Sequence, residues 1–111
     1  MPATVQLAAC AAYDPALVRQ AVSACLDNVA PDLVATGARV LLKPNVINSM
    51  SPERAVCTHP QVVRAVAEWV LERGGEVTIG DQPGYALTDD VQTCFRDSGL
   101  IAACADLPIT F

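Results

Sequence analysis

The chain has 111 residues, which limits it to one domain or part of one, because domains usually run about 100–200 residues. Apolar residues make up 52% of it and aromatic ones only 5%, so any core is built from Val, Ala, Leu and Ile, which suits a covered parallel sheet. Seven Lys and Arg against 12 Asp and Glu give a net charge of −5 and no basic run, which argues against nucleic acid as a partner.

Along the chain, Thr4 to Ala9 is predicted as a first strand. Asp14-Pro15 then opens a helix, an acid at the cap followed by proline at the first helical position. Its apolar pairs, Leu17/Val18, Ala21/Val22 and Cys25/Leu26, recur once per turn and end at Val29, before Pro31. Arg39 to Leu42 is a second predicted strand, and its continuous Val40-Leu41-Leu42 run calls for cover on both faces. A second helix starts near Thr58-His59-Pro60, carries Val62/Val63, Val66/Ala67 and Val70/Leu71 on one stripe, and stops at Gly74-Gly75. Val77 to Ile79 is the third predicted strand. A turn over Gly80-Asp81-Gln82-Pro83-Gly84 follows, then a helix capped by Thr88 that runs through Val91 and Phe95 to Gly99. A short helical piece over Leu100 to Ala105 leads to the start of a fourth strand at Pro108 to Phe111. Alternating strands and helices predict an α/β fold of three layers on a mainly parallel sheet. Residues 1–111 are read as a single α/β domain or as the N-terminal fragment of a larger one, expected to self-associate or to lack a C-terminal half.

No apolar stretch reaches membrane-spanning length and the first residues lack the positive start of a signal peptide, so no membrane partner and a cytoplasmic location are expected. The five cysteines, Cys10, Cys25, Cys57, Cys94 and Cys104, are scattered and never in a C-x-x-C pair. They read as buried free thiols rather than a disulfide framework or metal site.

Ligands of open parallel sheets bind beyond the carboxyl ends of strands, which directs attention to Lys43-Pro44-Asn45 and to Gly80–Gly84. The connection from Asn45 to Thr58 is far longer than the usual 2–6 residues or so of such links, and it offers Ser49, Arg54 and Thr58 as polar groups. A small anionic molecule at the start of the second helix, with Lys43 and Arg54 as charge partners, fits this pattern, since that helix has no acid in its first turn. Each residue also has a plainer use. Lys43 could lay its stem on the core edge and keep its ammonium in water. His59 could act as a general acid or base, or simply cap its helix. Asp81 could hold a metal, orient a sugar hydroxyl or act as a base, or only bond its own turn. Trp69, mid-helix, is expected in the core or at a subunit contact. Phosphate-loop, dinucleotide, zinc-protease and serine-hydrolase signatures are all missing from the sequence.

Three segments in this order and at this spacing, Val40-Leu41-Leu42-Lys43-Pro44-Asn45, Thr58-His59-Pro60-Gln61-Val62-Val63-Arg64-Ala65-Val66 and Gly80-Asp81-Gln82-Pro83-Gly84, resemble the domain of unknown function 362 family. The resemblance implies an α/β domain with the Lys-Pro-Asn and Gly-Asp-x-Pro-Gly segments as its marked positions. Members commonly have twice this length or more, and some carry ferredoxin-like cysteine clusters; here no such cluster occurs, so an iron–sulfur cofactor is expected, if at all, elsewhere in a longer protein. The resemblance brings no established catalytic residues. The first expectation is a small-molecule or anion site with Lys43, His59 and Asp81 as candidate catalytic groups and Asn45, Ser49, Arg54, Thr58, Gly80 and Gly84 as candidate ligand contacts. Whether it is an enzyme, and with which cofactor, the residues do not decide. The alternatives are a redox-associated or partner-binding module of an iron–sulfur protein, with no chemistry in this segment, and a purely structural domain.

Overall fold

A computed structural model describes residues 2–84 and 90–111. Helix α1 (Pro15–Val29) begins as its sequence dictates: the Asp14 carboxylate accepts from the N–H groups of Ala16 and Leu17, and Pro15 occupies the first helical position, where no N–H is needed. Strand β1 (Arg39–Leu42) follows, then a single 3-10 turn at Pro52–Arg54, helix α2 (Pro60–Glu72) and strand β2 (Glu76–Ile79). Helices α3 (Val91–Asp97) and α4 (Leu100–Cys104) lead to the short strand β3 (Ile109–Thr110).

The three strands form a parallel sheet in the order β1-β2-β3, with Val40 opposite Val77 and Val77 opposite Ile109. Side chains at 40, 42, 77, 79 and 109 point to one face, where α2 and α4 supply the core: Val63, Ala67, Trp69, Val70, Leu100 and Cys104 pack on Val77 and Ile79. Helix α1 lies against α2, and Arg19 bridges the two through ion pairs with Glu68 and Glu72. Between α2 and β2 the chain passes through Gly75 beneath α1's connection to β1. A Cβ there would stand 2.7 Å from Val70 Cγ1 and 2.9 Å from Val34 Cγ1, closer than packed carbon atoms tolerate. Gly75→Ala is therefore expected to destabilise the fold by about 1–3 kcal/mol, read from the shift of the urea midpoint.

Several expectations are corrected by this arrangement. Thr4 to Ala9 forms no strand, because among the described residues no other strand shares its backbone hydrogen bonds; Val5 and Leu7 are 79% and 85% exposed. Cover on both faces of β1 is also absent among the described residues. Leu41 is 64% exposed on the face that also carries Thr78 and Thr110, whose hydroxyls meet at 3.0 Å. Cysteines do not behave alike: Cys94 and Cys104 are buried thiols, Cys25 and Cys57 are half-buried, and Cys10 is exposed. Thr88, predicted as a helix cap, lies outside the described residues; the carboxylate that caps α3 is that of Asp90, which accepts from Thr93 N–H at 2.7 Å.

Candidate functional site

Two loops leave the carboxyl ends of neighbouring strands and are fastened together at once. After β1 the chain runs through Lys43, Pro44 and Asn45; after β2 it runs through Gly80 and Asp81. Gly80 N–H extends the ladder by donating to Leu42 O at 3.0 Å, which places Asp81 beside the exit of β1. The Asp81 carboxylate then serves both segments. Its Oδ2 accepts from Val46 N–H at 2.8 Å, and its Oδ1 lies 2.6 Å from Lys43 Nζ.

The two partners are unequally placed. The Asp81 side chain is 4% exposed, whereas that of Lys43 is 70% exposed. Burial alone would raise the Asp81 carboxyl, but the Lys43 ammonium and the backbone N–H groups of Val46 and Gln82 outweigh it and hold the group below its usual value. The result is a buried, ionised carboxylate anchoring an ammonium that stands on the rim, with its remaining N–H directions turned to solvent.

The neck of the long loop is closed by a reciprocal pair. Asn45 N–H donates to Thr58 Oγ1 at 2.9 Å, and Thr58 N–H donates to Asn45 O at 2.9 Å. Within the loop, Asn48 Oδ1 accepts from Met50 N–H and the Cys57 thiol approaches Asn48 O. Ser49 is half-buried in this loop, while Arg54 is exposed on the 3-10 turn; no hydrogen bond or ion pair among the described residues joins Arg54 to Lys43 or Asp81.

His59 takes the duller of its two predicted roles. Its Nδ1 accepts from Gln61 N–H at 3.2 Å as the cap of α2, and its ring stacks on Tyr13 with centroids 3.6 Å apart and planes 6° from parallel. Burial lowers its pKa, an effect only partly opposed by Glu53. Among the described residues no hydrogen bond or ion pair links the imidazole to Lys43 or Asp81. The first turn of α2 is internally satisfied as well: Pro60 has no N–H, and those of Val62 and Val63 reach His59 O at 3.0 and 3.4 Å. The N–H groups that the sequence offers an anion at this helix start are therefore already engaged.

Thus Lys43 contacts Asp81 and Asn45 contacts Thr58, and the two pairs meet through Val46, whose N–H bonds Asp81, while Gly80 bonds Leu42 at the end of β1. Gly84 lies further along the second loop, exposed, with open space where a Cβ would stand. Two participants escaped the sequence reading. Val46, 1% exposed, contributes its backbone N–H, and no side-chain signal announces a backbone donor. Tyr13 covers His59 across a sequence distance that periodicity does not register. Among the described residues no three metal-ligating side chains come together, and no helix is long and apolar enough to cross a membrane.

The family model described as a domain of unknown function, DUF362, matches residues 40–111, which include every member of the Lys43–Asp81 contact network. The chain belongs to the DUF362 family. A thylakoid-associated protein of Synechocystis sp. is 46% identical over 54 residues, an alignment that takes in 49% of this chain and 17% of that protein. The chain thus spans well under a fifth of the curated relative it matches. No solved structure matches the chain.

Proposed function

We propose that this DUF362 segment forms one wall of a small-molecule site at the carboxyl ends of β1 and β2, in which the Lys43 ammonium binds an anionic oxygen of the ligand. The observation that carries the reading is the Lys43–Asp81 contact at 2.6 Å between an exposed ammonium and a buried carboxylate. A lysine needs no such tether to stay soluble, while a tether fixes the ammonium in one place and so lowers the entropy lost when a ligand is held. Asn45 and Thr58 support the site by closing the loop neck, and Gly80 by prolonging the ladder. His59 and Arg54 belong to its periphery. As the anchoring carboxylate largely neutralises the ammonium, binding through Lys43 is weak unless further groups converge on the same ligand.

The same reading keeps the chain in the cytoplasm, a placement supported by its free cysteines and acidic balance. The name of the Synechocystis relative makes association with a membrane surface the rival, and cell fractionation separates the two.

Inorganic phosphate is a suitable probe of the anion site. In the protein at its natural length, phosphate is expected to raise the melting temperature, and Lys43→Ala is expected to abolish that rise while leaving the phosphate-free melting temperature nearly unchanged. An equal phosphate effect in both proteins removes Lys43 from the site.

A further inference from the structure

Lys43 adjoins more than the Asp81 carboxylate. Together with Thr58 it lines a hollow of about 230 Å³ between the end of β1 and the start of α2. The rest of the described lining is apolar: Leu41 and Leu42 of β1, Pro44 at its exit, and three valines, Val62 among them, from the first two turns of α2. A charged group and a hydrocarbon wall therefore share one small space.

The two polar side chains of the hollow both offer donors. An ammonium has three N–H groups and no acceptor, and Asp81 Oδ1 at 2.6 Å takes up only part of that capacity. The Thr58 hydroxyl oxygen accepts from Asn45 N–H, and among the described residues no acceptor takes the hydrogen of the hydroxyl itself. Asp81 is not among the described residues that line the hollow, so no carboxylate of the lining competes with an anion there.

Size and charge narrow the occupant. The hollow is smaller than the roughly 300–1,000 Å³ of pockets for drug-sized ligands, and at roughly 30 Å³ per water-sized group it holds about seven heavy atoms. Its one ammonium is already partly offset by Asp81, so a second negative charge on the ligand would go uncompensated. We propose that the ligand is a short aliphatic monocarboxylate, whose carboxylate engages Lys43 with the Thr58 O–H as a second donor, and whose tail of about four or five carbons fills the hollow. This inference rests on the anion site proposed above and supplies the converging contribution that a half-neutralised lysine lacks. Each methylene fully withdrawn from water strengthens binding by up to about fourfold.

The test is calorimetric titration of the protein at its natural length with acetate, butyrate, hexanoate, hexanol and inorganic phosphate. Affinity is expected to climb at least about tenfold from acetate to hexanoate, and hexanol to bind more weakly than hexanoate. Lys43→Ala is expected to bring hexanoate down to the level of hexanol, and Val62→Phe, which narrows the hollow, to remove the climb with chain length. In the native protein, hexanoate and not acetate is expected to shift the methyl NMR signals of Leu42 and Val62. Equal affinities for acetate and hexanoate overturn the inference, and a phosphate effect that still depends on Lys43 then leaves the anion site standing. Hexanol binding as tightly as hexanoate, or hexanoate binding unaltered in Lys43→Ala, overturns it as well. Indifference of both phosphate and hexanoate to Lys43→Ala removes the underlying site too.

Discussion

Trp69→Ala is expected to cost about 3–5 kcal/mol, a large share of the roughly 5–15 kcal/mol that holds a typical domain folded. Trp69 is 1% exposed near the C-terminal end of α2 and belongs to the same apolar cluster as Val77 and Ile79. Its indole also ties α2 to α1: Nε1–H donates to Asp27 Oδ1 at 2.8 Å, and the Arg73 guanidinium lies 3.7 Å over the ring while pairing with the same carboxylate. Alanine therefore opens a cavity and leaves Asp27 and Arg73 without the ring that aligns them. Trp69→Phe retains most of the volume but loses the donor, and a cost of about 1 kcal/mol is expected for it. Urea denaturation of the two variants separates packing from hydrogen bonding. Equal losses would show that the indole N–H, and not the cavity, dominates.

The second large effect is at Asp81, where two contributions of different size can be told apart. The ion pair with Lys43 is open to water on the lysine side, so it is worth about 1 kcal/mol or less. Val46 N–H is enclosed and has the carboxylate as its acceptor, and leaving such a donor unpaired costs about 1–3 kcal/mol. Asp81→Ala is accordingly expected to destabilise the fold by about 2 kcal/mol at pH 7, and Lys43→Ala by clearly less. Asp81→Asn retains an acceptor for Val46 and falls between them.

The pH dependence follows from the direction of the shift. The folded carboxyl sits below its ordinary value of 3.8, so the unfolded chain binds the proton more readily. The stabilising contribution is complete above about pH 4, and it is lost as the pH falls through the depressed folded value. The stability gap between the native chain and Asp81→Asn, followed by denaturation from pH 7 to pH 2, is expected to narrow only at the acid end. A gap that stays constant to pH 2 would mean that the ionised form contributes nothing.

How much of this was legible beforehand depended on whether the physical cause was local. Asp14-Pro15, the α2 stripe from Val62 to Leu71 and the Arg39–Leu42 run all carry their signals within a few residues, and their elements stand where the sequence puts them. Thr4 to Ala9 has a strand's pattern and lacks a strand's partner, because pairing depends on a neighbour that no local pattern supplies. The meeting of Lys43 with Asp81 was foreseeable from strand ends, once β1 and β2 were neighbours. Strand order itself was not foreseeable, since alternation of elements is compatible with many orders. The single histidine shows the reverse failure. Its residue type suggested chemistry, but its position directly before Pro60 already contained the cap that the structure displays.

That cap settles which tautomer the imidazole adopts. With its Nδ1 lone pair committed to Gln61, neutral His59 carries its one ring hydrogen on Nε2. Nε2 can then only donate, and the one basic position left on the ring is the capping Nδ1 itself, so loading a second proton onto the ring means forfeiting the anchorage of the helix below.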